Sequence, residues 1–268
     1  MKELRKIAFA LLCLFTHSAV SKCYEPIKIA VIDTGLGYND LSARKARLCK
    51  DGHKDFTWDN KYFVTDDKQK IPLDLDGHGS NIVGLIEKEL KDVNYCIMII
   101  KYFSNNAKDK DENAMHSLMA ISHAMNYGAD YINYSGGGDT FDPQEQSTIQ
   151  MFLDMGGKFV AAAGNEAHDL AKQAYYPAMV DDRVIVVGNI DKNGKQHYLS
   201  NYGKRVDRWE MGVDAVGYGI HKTGTSQSTA TATGKLVAIE AMECKTKALS
   251  AFRHMIKNTK PIEEVACH

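Results

Sequence analysis

The chain has 268 residues, of which 44% are hydrophobic and 25% charged, and a formal net charge of -1. That length can bury a sizeable core, the composition is ordinary for a globular protein, and the sequence shows no internal repeat or low-complexity tract. The near-zero charge gives no electrostatic case for nucleic acid or an anionic membrane as a partner.

The N-terminus reads as a targeting segment. "MKELRK" is a basic start, "IAFALLCLF" is an apolar run and "THSAVS" supplies small residues suited to cleavage, the three-part form of a secretory signal over 1–22. The apolar run is far too short to cross roughly 30 Å of hydrocarbon, and Lys22 stands where a lipid-anchor signal at Cys23 needs a small residue. No later segment is apolar enough to span a membrane. A secreted or periplasmic location is expected, with no membrane partner after signal removal. Cysteine usage agrees with export. Cys23, Cys49, Cys96, Cys244 and Cys267 lack zinc-site spacing, so disulfides are expected, with at least one cysteine of the five left over. Their connectivity stays open.

In chain order, "IKIAVID" (27–33) is a short apolar, β-branched run that predicts a buried strand, and "HGSNIVGLIEKEL" (78–90) predicts a helix. A second buried strand is predicted over 95–103 and a helix with a glycine stop over 113–128. A strand follows over 129–135, a helix with a proline start over 143–157, and strands over 158–165 and 183–190. A final helix starts near Ser226. Strands alternating with helices predict an α/β fold: a three-layer, mostly parallel sheet with helices on both faces, in one domain over 23–268. Ligands of such sheets bind beyond the carboxyl ends of the strands.

The chemistry-bearing residues fall at those positions. Asp33 closes the first strand in "AVIDTGLG", where a carboxylate is costly unless paired. On its own it reads as a turn-capping Asp. His78 lies between two glycines at a helix start and on its own reads as a loop histidine. Ser226 opens the last helix within "TGTSQSTATATGKLVAIEA" (223–241), a run of small residues suited to close helix packing. A serine hydroxyl needs a base to take its proton, and the base needs a carboxylate to fix its tautomer. Asn165, after the strand that ends in "AAAGN", offers a side-chain amide for a developing oxyanion.

Taken together, "VIDTG", "DGHGS…VG", "AAAGNE" and "GTSQSTATATG" resemble the four signature segments of the subtilisin-like serine proteases, and the resemblance runs from about 27 to 242. It implies an exported serine endopeptidase acting on peptide or protein substrates through an acyl-enzyme. Ser226 would be the nucleophile, His78 the general base and Asp33 its orienting carboxylate. Asn165, with the Ser226 N–H, would form the oxyanion hole. Ser135, Gly136 and Gly137 would pair with the substrate backbone, and Ala162, Ala163 and Gly164 would wall the primary specificity pocket. Glu166 at its mouth would favour a basic or polar side chain, or simply be solvated. No cofactor is required; calcium is a possible structural ion with no ligand spacing to place it. A monomer is expected.

The pattern departs from the family at several points. Ser80 and Asn81 replace the usual Thr-His, Ala230 replaces a proline, Lys222 replaces an apolar residue, and "EMGVDA" replaces an Ala-Pro-Gly turn. The charged stretch 104–114 reads as a solvated rim. The stretch between residue 22 and Asp33 has no room for the inhibitory pro-domain of exported relatives, so folding without one, or with a separate helper, is expected. A catalytically inert binding module of the same fold and a non-peptide hydrolase are the alternatives. The esterase signature G-x-S-x-G is absent around Ser226.

Overall fold

A computed structural model describes residues 25–37, 45–104 and 110–258. The expected signal (1–22), Cys23, Cys267 and residues 105–109 of the charged rim lie outside the described residues. Ile27–Ala238 form one compact unit, which contains the sheet and every candidate site residue. The two chain ends, Met1–Pro26 and Ile239–His268, form a second unit, described chiefly through the far part of the last helix.

The predicted alternation is present. Strands β1 (Ile27–Asp33), β5 (Tyr95–Lys101), β6 (Tyr131–Tyr134), β7 (Lys158–Ala162) and β8 (Ile185–Ile190) match the apolar runs. Helices α1 (His78–Glu89), α2 (Lys110–Asn126), α3 (Pro143–Asp154) and α4 (Thr225–Asn258) match the helical segments. The start of α3 is fixed locally. Asp142 caps it by accepting from the N–H groups of Gln144 (2.7 Å) and Glu145 (3.3 Å), and Pro143 follows at the first helical position.

With β2 (Lys54–Asp55) and β9 (Arg208–Met211), these strands form a seven-stranded sheet in the order β2-β5-β1-β6-β7-β8-β9. Every adjacent pair is parallel. The chain enters the sheet at β1, later adds β5 on one side and then β6 on the other. The carboxyl end of β1 is therefore a topological switch point, where the crevice of an open parallel sheet lies.

Both faces are covered. Ala30 and Ile32 of β1, Ile132 of β6 and Phe159 of β7 join Ile121 of α2 and Phe152 of α3 in one buried cluster. Each large apolar side chain removed from water there contributes about 1.5–3 kcal/mol. On the opposite face Asn133 of β6 accepts a hydrogen bond from Thr233 of α4 (2.9 Å). The Cys49–Cys96 disulfide ties the segment before β2 to β5. Cys244 is also disulfide-bonded. Two short hairpins complete the described strands: β3 (Tyr62–Val64) with β4 (Lys70–Pro72), and β10 (Ala215–Gly217) with β11 (Ile220–Lys222).

The run of small residues in α4 does what its composition suggests. Ala230, Ala232 and Thr233 are fully buried. A Cβ placed on Gly234 would lie 2.7 Å from both the Ile86 carbonyl oxygen and Glu89 Cβ, so α4 meets the backbone of α1 there. Gly234→Leu is accordingly expected to cost about 1–3 kcal/mol, read as a lowered midpoint in chemical or thermal unfolding. An unchanged midpoint would show that the two helices are not in that contact.

Candidate active site

Asp33 ends β1 with its side chain only 4% exposed, so its charge has to be met by protein groups. Oδ1 accepts from the Thr34 N–H (2.8 Å), and both carboxylate oxygens face His78 Nδ1, at 2.8 and 3.0 Å. The pairing places the imidazole proton on Nδ1 and leaves Nε2 as the basic nitrogen. Burial pulls the imidazole pKa down, but the charge and hydrogen bond of Asp33 outweigh it, and the pKa of His78 lies above its ordinary value.

The loop that delivers His78 is built on a residue the sequence reading passed over. Asp74 is buried, and its carboxylate accepts five hydrogen bonds. Oδ1 takes the Thr34 hydroxyl (2.9 Å) and the N–H groups of Asp76 (2.9 Å) and Gly77 (2.8 Å). Oδ2 takes the N–H (2.9 Å) and hydroxyl (2.7 Å) of Ser80. Thr34 in turn accepts from the Gly79 N–H (2.8 Å), which closes a ring between the end of β1 and the start of α1. Gly79 itself has no room for a side chain, since a Cβ there would lie 2.3 Å from the Gly35 carbonyl oxygen. The signal was present in "LDLDGHG", but an Asp before a glycine turn reads equally as surface.

Ser226 is the second residue of α4, in the first turn where N–H groups have no intrahelical acceptor. Its hydroxyl donates to the Ser135 carbonyl (2.8 Å). Among the described residues no hydrogen bond joins it to His78. The two helices are nonetheless locked together. Gln227 donates to Asn81 Oδ1 (3.0 Å), and Asn81 Nδ2 donates to the carbonyls of Ala215 (3.0 Å) and Ile220 (2.7 Å). Asn81, where the family pattern has histidine, therefore uses both ends of its amide to join α1, α4 and the β10–β11 hairpin. Lys222, another departure, pairs with Asp76 (3.3 Å).

Ser135, just past β6, is buried and donates from its hydroxyl to the Ser226 carbonyl (3.1 Å). Gly136 and Gly137 continue this edge, and Gly137 adopts a positive φ of 149°. Across from it, Ala162 and Ala163 are buried at the end of β7, and the Gly164 N–H donates to the Thr225 hydroxyl (3.2 Å). Asn165 is exposed. Its Oδ1 accepts from the Thr225 N–H (2.9 Å), which leaves Nδ2 as an outward donor beside the start of α4. Glu166 Oε2 is held by Asn201 Nδ2 (2.7 Å), which also donates to the Ala163 carbonyl (2.8 Å). The chain thus gathers the expected residues at the carboxyl ends of β1, β6 and β7 and at the starts of α1 and α4. Among the described residues no group of three or more His, Cys, Asp or Glu side chains is placed to hold a metal ion.

Asp74→Asn turns an amide NH2 toward donors that now meet a carboxylate. A loss of about 2–3 kcal/mol is expected in urea unfolding, and a variant as stable as the parent would remove Asp74 from this account.

The sequence model described as the subtilase family matches residues 25–264. A thermophilic serine proteinase of Bacillus sp. (strain AK1) is 30% identical over 199 residues, covering 70% of this chain and 44% of the relative. Cerevisin of Saccharomyces cerevisiae is 26% identical over 219 residues, covering 78% of this chain and 31% of the relative. The chain thus spans less than half the length of these curated relatives. Among solved structures, a cold adapted subtilisin-like serine proteinase superposes with a TM-score of 0.61 at 22% identity, covering 84% of this chain and 77% of that one. The Prenylagaramide maturation protease PagA gives a TM-score of 0.64 at 21% identity, covering 85% and 82%. The family match takes in Asp33, His78, Asn165 and Ser226 with all the strands that position them, and the chain belongs to the subtilase family.

Proposed function

We propose that the chain is an exported serine endopeptidase that hydrolyses peptide bonds through an acyl-enzyme. The observation that carries the reading is the buried Asp33 carboxylate on His78 Nδ1, which leaves Nε2 basic, in a unit where Gln227, beside Ser226, is bonded to Asn81 of the His78 helix. Export rests on the N-terminal sequence. Among the described residues no helix is long and apolar enough to cross a membrane.

In this reading the substrate backbone adds along Ser135–Gly137 as an extra strand, and its N–H takes over the Ser135 carbonyl. That frees the Ser226 hydroxyl to turn to His78 Nε2. His78 removes the proton as Ser226 Oγ attacks the carbonyl carbon, and Asp33 stabilises the imidazolium that forms. The oxyanion is met by Asn165 Nδ2 and the Ser226 N–H, aided by the positive end of α4. His78 then gives its proton to the leaving amine, and water, activated by the same nitrogen, releases the acyl group from Ser226. Peptide and unfolded protein chains are the substrate class.

Incubation with an unstructured protein, followed by mass spectrometry of the fragments, tests the reading. The wild type is expected to yield peptides and Ser226→Ala none. Cleavage that survives in Ser226→Ala, or folded wild-type protein that yields nothing, would overturn it. Asn165→Ala is expected to lower kcat by about 10²–10³-fold, the usual cost of one oxyanion donor.

The pH profile follows from the direction of the His78 shift. The base works neutral, so activity rises with pH through the imidazole pKa, and the acid limb of kcat/KM is expected above the ordinary histidine value of about 6.5. In Asp33→Asn the main raising influence is gone. Burial and the Lys222 charge, which both lower the imidazole pKa, are then opposed only by the smaller influence of Asp76, and the limb moves to lower pH. The kcat falls by about 10⁴-fold as the tautomer is lost. A limb that stays in place would show that His78 does not titrate against Asp33.

A further inference from the structure

The wall assigned to the primary specificity pocket (162–164) and the edge assigned to the substrate backbone (135–137) are bridged by a side chain that no sequence motif singled out. A Cβ placed on Gly137 would lie 2.4 Å from Cε1 and 2.9 Å from Cζ of Tyr175. A Cβ placed on Gly164 would lie 2.9 Å from Cδ2 of the same ring. Cε1 and Cδ2 are opposite corners of the phenyl ring, so the ring reaches from the substrate-backbone edge at Gly137 to the pocket wall at Gly164. Only two glycines, facing each other across it, leave it room.

The backbone that carries the ring is held in place. Tyr176, its neighbour, exchanges both backbone hydrogen bonds with Gly138: Gly138 N–H to the Tyr176 carbonyl (2.8 Å) and Tyr176 N–H to the Gly138 carbonyl (2.7 Å). The Met179 N–H holds the Tyr175 carbonyl (3.0 Å). The ring is half-buried and packs against the core cluster under α2 and α3. Burial, with the Glu166 carboxylate nearby, holds its phenol well above the usual range and therefore neutral. On the far side of Gly136 a Cβ would meet the Tyr102 hydroxyl at 2.2 Å, so the edge strand has no slack to shift in that direction.

We propose that Tyr175 is a specificity-determining residue that fills the primary pocket and restricts the residue on the acyl side of the scissile bond to glycine, alanine or serine. The inference rests on the proposed endopeptidase reading for its substrate, but not for its geometry. Glu166 Oε2, Asn201 Nδ2 and ring Cδ2 all adjoin Gly164, while ring Cε1 adjoins Gly137, so the ring occupies the space from that carboxylate's side to the facing edge. A long basic side chain reaching for Glu166 would have to displace the ring first. In such a closed pocket each added methylene that does not fit is discriminated by about 10–200-fold.

The test separates binding from turnover. Full-length protein carrying Ser226→Ala is titrated with two peptides that are identical except for a C-terminal alanine or phenylalanine, and the active protein is given matching internal peptides. The alanine peptide is expected to bind, and its counterpart to be cleaved, at least about tenfold better. Tyr175→Gly abolishes or reverses the preference by admitting phenylalanine, whereas Tyr175→Phe, which keeps the ring, preserves it. Where the glycine variant is too unstable to compare, Tyr175→Val opens the same space with less loss of packing. Equal binding of the two peptides by the parent, or a preference that survives in folded Tyr175→Gly, overturns the proposal. A binding preference that follows Tyr175 with no peptide cleaved supports the pocket and refutes the endopeptidase reading instead.

Discussion

A carboxylate at the end of a strand buried in a parallel sheet is costly unless something answers its charge, and the arrangement around Asp33 is that answer. The residue ends a strand that is paired on both sides, with β5 and with β6. It is met by the Thr34 N–H and by one imidazole, and that imidazole is thereby fixed in ring orientation and tautomer. The requirement passes outward to Asp74, a second buried carboxylate, whose five hydrogen bonds shape the loop that brings His78 to Asp33. Removing either carboxylate would leave buried donors without acceptors, so residues of the candidate site are also elements of stability.

Around that pair the fold works by close approach. Glycine at 79 and 234 lets α1 meet the end of β1 and α4 meet α1 at backbone distance. Asn81 then joins three elements with one amide, using both donor hydrogens and the acceptor. Its presence where the family pattern has histidine leaves the Asp33–His78 pair intact. The start of α4 is similarly over-determined. Ser226 exchanges hydrogen bonds with Ser135 through two separate contacts, while Asn165 and Gly164 grip Thr225.

The large elements were legible because buried strands and capped helices leave strong local patterns. "IKIAVID" has almost no other reading, and Pro143 marks a helix start unaided. The residues of the candidate site, gathered at strand ends and helix starts, were legible through four segments in a fixed order. Less visible were the hairpins β3–β4 and β10–β11, whose strands are three residues each, too short for a period to register. β9 was missed for another reason. "RWEM" carries polar residues between apolar ones, and Trp209 finds its place only against Gly188 of the neighbouring strand. Asp74 and Tyr175 were hidden because their partners are remote in sequence: a turn aspartate and an "AYYPAM" loop acquire meaning only when Thr34, Gly137 and Gly164 arrive beside them. The Cys49–Cys96 bridge likewise depends on three-dimensional proximity, which spacing does not encode.

The central claim is that Asp33, His78 and Ser226 act as one unit that activates a serine hydroxyl. Ser226 presently donates to Ser135 in the structure, so the decisive question is whether it can be drawn to His78 and made nucleophilic. Reaction of the purified protein with a fluorophosphonate probe, read by intact mass, addresses this without any knowledge of the natural substrate. One adduct on the wild type, none on Ser226→Ala and a strongly slowed adduct on His78→Ala are the predicted results. A folded wild-type protein that forms no adduct, or an adduct that persists in Ser226→Ala, would contradict the account.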